Sequence, residues 1–203
     1  MATADQFEPA ERLEYEVFEE IGFCRTSSLG RVEEFDEWRD RSEFRVVTDD
    51  AGVIKGVVRV LLGQYDDLPI GSFPKYRDYP PDPILEYASL AVPVDVRRSG
   101  VAEALYRGVW QDAIRSGAGG IAGIGAPWLL DILNGVYNFG FEQLGEGRYY
   151  MGGDCIPVGT AVRCLIQRLK NQPSFFQWVT AEVDLRDLPN PGVRDAVADV
   201  RRA

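Results

Sequence analysis

Residues 85–102 read LEYASLAVPVDVRRSGVA, and this stretch sets the expected architecture. An apolar strand over 85–92 runs into a short basic loop, Arg97-Arg98-Ser99-Gly100-Val101-Ala102, which opens an amphipathic helix over 100–116. Val101, Leu105, Val109 and Ala113 recur there at four-residue steps. A helix start carries unpaired backbone N–H groups and about half a positive charge. Glycine at that point lets an anion come close to the backbone, so the loop reads as a cradle for a pyrophosphate. A plain strand-to-helix turn is the simpler alternative. Strand alternation places Glu86, Ala88, Leu90 and Val92 on one face, with Tyr87, Ser89 and Ala91 on the other. A carboxylate in company with Ala, Leu and Val is costly unless it is paired, hydrated or used in chemistry.

Upstream, residues 8–22 place Leu13, Val17 and Ile21 at helical spacing, with Tyr15 and Phe18 widening the stripe. The acidic segment VEEFDEWRD reads as a short helix or an ordered loop. EFRVVTDD and VIKGVVRVLLG, split by Asp50-Ala51-Gly52, read as an antiparallel hairpin. Residues 64–83 hold five prolines in a long connection, a length that often serves function. Downstream, GAGGIAGIG starts a small-residue strand, and WLLDILNGVYNF reads as a helix running to Gly140-Phe141. Two strands around Gly152-Gly153, the helix VRCLIQRLKNQ and the segment PSFFQWVTAEV follow. The order helix, hairpin, strand, helix, strand, helix, strands suits a mixed α/β fold with a central, largely antiparallel sheet flanked by helices. A Rossmann domain would repeat strand–helix units from the start. We expect one domain over residues 1–185 and a charged, weakly packed tail over 186–203.

The 203 residues are 45% hydrophobic, enough for one proper core. No run approaches the roughly 18–20 apolar residues of a membrane span. The opening MATADQFEPAERLE has neither a basic nor an apolar targeting region, which points to the cytoplasm. Three cysteines without Cys-x-x-Cys spacing argue against a disulfide framework and a zinc site. Histidine is absent, which removes Ser-His and Cys-His nucleophile pairs, imidazole bases and His-ligated metals together. Acid–base work must then fall to a carboxylate, tyrosine, thiol, lysine or water. A net charge of −10 argues against non-specific nucleic-acid binding. Arg97, Arg98, Arg107 and Arg115 form either a local basic patch or a solvated helix face.

The pattern Arg-x-x-Gly-x-Ala after a Leu-Ala-Val strand, with VYNFGFEQLGEG downstream, resembles the acyl-donor loop of GCN5-related N-acyltransferases. Arg12, the cluster Glu34-Phe35-Asp36, and Gly56-Val57-Val58-Arg59 further resemble acyl-homoserine-lactone synthases and long-chain N-acyl amino acid synthases, over roughly residues 10–165. Leu90 stands where the lactone synthases prefer an arginine, which favours the more general N-acyl synthases.

The resemblance implies a GCN5-related N-acyltransferase fold. It also implies transfer of an acyl group from acyl-coenzyme A or an acyl-carrier protein to a small primary amine. The thioester is a co-substrate on a phosphopantetheine arm, with no permanently bound cofactor and no metal. Its phosphates would meet Arg97, Arg98, Ser99, Gly100, Val101 and Ala102, and its arm would lie along Ala91 and Val92, where a backbone N–H polarises the carbonyl. Glu86 would accept the amine proton through water, unless it is a strand-end ion-pair partner. Tyr137 would protonate the leaving thiolate or else pack in the core. Asp36 and Arg59 would bind substrate or brace the fold as an internal pair. Two rivals stand: an acetyltransferase for small groups, and a silent binding module, which a buried, neutral Glu86 would favour.

Overall fold

The computed structural model describes residues 1–202. Helix α1 (Phe7–Glu20) leads through a 3-10 segment, Glu33–Arg41, to the hairpin β1 (Glu43–Thr48) and β2 (Ile54–Gly63). After two 3-10 turns come β3 (Ile84–Ala91), α2 (Val101–Ser116), β4 (Gly120–Gly125) and α3 (Pro127–Gly135). Two short strands, β5 (Glu142–Gln143) and β6 (Arg148–Tyr150), precede β7 (Gly153–Ala161) and the helices α4 (Val162–Leu169), α5 (Pro173–Thr180) and α6 (Pro191–Arg202). The sheet order is β1-β2-β3-β4-β7-β5, with β6 also on β7. Its pairings are antiparallel except β3 with β4. The expected mixed α/β architecture with a largely antiparallel sheet is therefore the one observed. Among the described residues no helix is long and apolar enough to cross a membrane.

The phase of β3 changes partway along it. Arg59 faces Ser89 and Val60 faces Tyr87, so Ala88 has no partner on β2. An extra residue on one strand is a β-bulge, and it advances the pleat by one position. Strict alternation thus fails here. Tyr87 joins Leu85, Leu90 and Val92 in the core cluster packed by α2 and the C-terminal helices. Ser89 instead reaches Glu14 on α1, and Ala91 packs with Val57 in the cluster beneath that helix. Gly56 on β2 permits the close seating of α2, because a Cβ there would overlap Val101.

Helix α1 is fastened to the sheet by a buried ion pair. Arg59 donates from Nε and Nη2 to Glu14 at 3.0 and 2.6 Å, and both residues are wholly buried. Ser89 donates to the same carboxylate. The Arg59 guanidinium lies 5.0 and 4.5 Å from the Phe35 and Phe44 ring centroids, a cation–π sandwich. Glu11, held by Arg39 at 2.9 and 3.1 Å, stands 3.7 Å from Arg59. The internal Arg59–Asp36 pair that stood as the alternative to substrate binding is not formed: Asp36 is exposed and bound by Arg31, while Arg59 points inward to α1.

The weakly packed tail expected over 186–203 is also corrected. Pro191–Arg202 form an amphipathic helix whose Val193, Ala196 and Val197 are buried in the main core. Small side chains at three- and four-residue spacing suffice to seat it. Arg201 ties this helix to the Thr180 and Val183 carbonyls.

Removing one member of a buried pair strands the other charge, at a cost of about 3–5 kcal/mol. Glu14→Ala should lose about that much stability in urea denaturation. The double change Glu14→Leu with Arg59→Met should regain most of it. Equal losses in both variants would show that the pair itself, rather than the stranded charge, carries the stability.

Candidate functional site

The parallel pairing of β3 with β4 covers three positions, Ile84–Gly120, Leu85–Ile121 and Glu86–Ala122. Beyond it β3 continues on β2 to Ala91, and β4 continues on β7 to Gly125. The two strands part and leave a fork with free backbone edges. Tyr87, the first residue past the junction on β3, lays its ring across Gly123 on β4. A Cβ on Gly123 would fall 2.5–2.9 Å from three atoms of that ring. Tyr87 also meets Phe141 edge-on at 6.1 Å.

Glu86, at the junction, is wholly buried. Its Oε2 accepts the Ile70 N–H at 3.1 Å, and its Oε1 finds no partner among the described residues. Ile70 belongs to the connection 64–83, whose 3-10 turns Tyr65–Asp67 and Pro69–Ser72 roof this face. Burial raises the Glu86 carboxyl to about 8, and the Ile70 hydrogen bond opposes that shift. The strand-end ion pair is not formed, since Glu86 has no ion-pair partner among the described residues, and its raised carboxyl favours the protonated form at neutral pH.

The loop over residues 97–102 has an open geometry. Arg97, Arg98, Ser99 and Gly100 are exposed. Gly100 caps α2 at φ +86°, and nothing lies within 4 Å of where its Cβ would be. Arg98 also stands at positive φ, +67°, a region that non-glycine residues enter at a cost. Arg97 Nε donates to the Val92 carbonyl at 3.3 Å, and Ser99 Oγ donates to Val96 at 2.6 Å. Those bonds hold the loop while the first N–H groups of α2 lack intrahelical acceptors. Ala91 and Val92 are buried beside it, Ala91 opposite Val57.

Tyr137 lies past the end of α3, which stops at Gly135, short of the expected helix. Its hydroxyl donates to Glu103 in the first turn of α2 at 3.3 Å, and its ring stacks on Phe139. Burial and then Glu103 raise its phenol above the ordinary value. Arg107 and Arg115 do not extend the basic loop. Arg107 pairs with Glu182 at 3.2 Å over the Trp178 ring, and Arg115 donates to the Glu182 carbonyl. The arrangement therefore gathers Glu86, Tyr87, the Ala88 bulge and the 97–102 loop around one fork. Arg59 belongs to the interior and Asp36 to the surface. Sequence reasoning passed over Tyr87, Ala88, Gly123 and Glu14. Of these only Glu14 left a signal, a carboxylate four residues from Ala10 and four from Phe18 on one helix face.

No protein-family model and no curated protein sequence matches this chain. Solved structures do. BjaI, a coenzyme A-dependent acyl-homoserine lactone synthase determined with SAM and isopentyl-CoA, aligns at TM-score 0.65 with 17% identity, covering 98% of this chain and 92% of that one. FeeM, an N-acyl amino acid synthase from uncultured soil microbes, aligns at TM-score 0.61 with 16% identity, covering 81% and 91%. A GNAT-family protein from Desulfovibrio desulfuricans aligns at TM-score 0.51 with 17% identity, covering 80% and 96%. The chain has the GCN5-related N-acyltransferase fold.

A carboxyl raised on folding binds its proton more tightly in the native state, so the native state holds more protons between the two values. Stability from Glu86 is therefore full below about 4.5 and is lost as pH rises toward about 8. In urea denaturation at several pH values, wild type should lose stability over that window relative to Glu86→Gln. A constant difference between the two would show that the Glu86 carboxyl titrates alike in the folded and unfolded states.

Proposed function

We propose that this chain transfers an acyl group from a thioester on a phosphopantetheine arm to a primary amine such as that of an amino acid. The observation that carries this reading is the conjunction of a strand fork with an open, basic helix start at the end of the same strand. The fork offers a free β3 edge over 87–91, where an extended arm adds like a further strand. The helix start offers N–H groups at 98–102 with Arg97 and Arg98 beside them, suited to a pyrophosphate. The similar structures support it: BjaI is described with an acyl-coenzyme A, and FeeM as an N-acyl amino acid synthase.

In this reading the donor's carbonyl is polarised by backbone N–H near the bulge at Ala88, three residues before the expected Ala91. The amine attacks that carbon, its proton passes through water to Glu86 Oε1, and the C–S bond breaks to release the thiol. A base works best with a value near the working pH. Glu86, at about 8, becomes competent as pH rises through the mildly alkaline range. Because Arg107 and Arg115 are engaged by Glu182, Arg97 and Arg98 stand as a phosphate site rather than part of a broad patch for an acidic protein. We therefore take coenzyme A, ahead of a carrier protein, as the donor's handle.

One observation favours a second reading. Glu86 is buried and mostly neutral at pH 7, as a silent binding module would have it. Turnover separates the two.

Charge-assisted contacts to phosphate contribute about 1.5–3 kcal/mol each, or roughly 10- to 100-fold in affinity. Arg97→Ala should weaken coenzyme A binding by about that factor in calorimetry, and Gly100→Asp should abolish it. Unchanged affinity in both would refute the donor site. Glu86→Gln should preserve affinity while lowering turnover roughly 10²- to 10⁴-fold. Wild-type binding of coenzyme A with no transfer to any amine would establish the silent module instead.

A further inference from the structure

Tyr87 is wholly committed to the fork, yet its hydroxyl is bonded to nothing among the described residues. The side chain is buried, and the oxygen finds no hydrogen-bond partner among the described residues. A buried donor left unmatched destabilises the fold. Phenylalanine would fill the same space without that cost, so packing alone does not explain the hydroxyl. The ring is held by Gly123 beneath it and Phe141 at its edge, at the point where β3 and β4 separate.

We propose that the Tyr87 hydroxyl donates a hydrogen bond to the thioester sulfur as the C–S bond breaks, a role that the sequence assigned to Tyr137. This assignment rests on the acyl-transfer reading above. The pleat supplies the geometry, because Glu86 and Tyr87 are consecutive residues before the bulge and point to opposite faces of β3. Glu86 sits under the 64–73 roof on the side of α1. Tyr87 lies on the side packed by α2, the helix whose first residues form the donor loop. Proton removal from the amine and departure of the thiol therefore fall on opposite sides of the reacting carbon. Tyr137 is less available, since its hydroxyl is already given to Glu103.

The step balances without net proton transfer from the phenol. The amine nitrogen bonds to the carbonyl carbon, and the sulfur leaves with the bonding pair. Tyr87 stabilises the charge on that sulfur and keeps its own proton. The amine proton goes through water to Glu86, and the thiolate takes a proton from solvent. Burial holds the Tyr87 phenol well above its ordinary value, so it stays a donor across the working range.

The test is Tyr87→Phe, followed by thermal melting, coenzyme A calorimetry and turnover. Relief of an unmatched hydroxyl predicts a melting temperature equal to or above wild type. Affinity for coenzyme A should be unchanged, and kcat for an acyl-coenzyme A should fall about a hundredfold, the low end for loss of one preorganised donor. With an acyl thiophenol, whose leaving group needs little stabilisation, the two proteins should turn over alike. A lowered melting temperature, an unchanged kcat, or equal losses with both thioesters would overturn the assignment. If wild type transfers from neither thioester, the acyl-transfer reading fails and takes this inference with it. Transfer at equal rates by both proteins sinks the inference alone.

Discussion

Three parallel residue pairs between β3 and β4 hold the two halves of this sheet together. Each strand is otherwise claimed by an antiparallel neighbour, β3 by β2 and β4 by β7. Those ladders run past the junction, so the halves must diverge beyond it. The Ala88 bulge sits at the point of parting, where an extra residue sharpens the local twist of the strand. Gly123 lets the Tyr87 ring wedge into the opening. The 97–102 loop then follows within a few residues of the free edge. Fork, bulge and loop are consequences of one short junction.

Polar groups buried near that junction are accommodated in three different ways. Arg59 and Glu14 neutralise each other with two hydrogen bonds, a third from Ser89, and aromatic rings on the guanidinium. Pairs of this kind cost their desolvation but hold a specific geometry, here the seat of α1 on the bulged strand. Glu86 has one backbone donor and, among the described residues, no counter-ion, so it lowers its cost by keeping a proton. The Tyr87 hydroxyl finds no partner among the described residues.

Much of this was legible in the sequence because it depends on local rules. The helix start at Gly100, the hairpin about Asp50-Gly52 and the small-residue strand GIAGIG follow from turn chemistry and periodicity. The rest depends on contacts distant in the chain. Nothing in LEYASLAV marks Ala88 as the residue without a partner, so the alternation placed residues 89–92 on the wrong faces. Arg59 finds Glu14 rather than Asp36 because α1 is rotated from the expected stripe. Ala10, Glu14, Val17 and Phe18 face in, while Ile21 is 45% exposed. Apart from Leu188, the segment after residue 186 carries only small apolar side chains, and helix α6 packs them beside α4. Burial of Glu86 depends on a roof sixteen residues away, at Ile70.

The central claim is that a thioester donor lies along the free edge of β3 with its phosphates on the start of α2. Residue-resolved amide hydrogen exchange, with and without a non-hydrolysable acyl-coenzyme A analogue, tests it most directly. The account predicts slowed exchange at residues 87–91 and 98–103, with little change in β1 and β6. Binding that leaves both segments unprotected, or that protects a surface away from the fork, would contradict it.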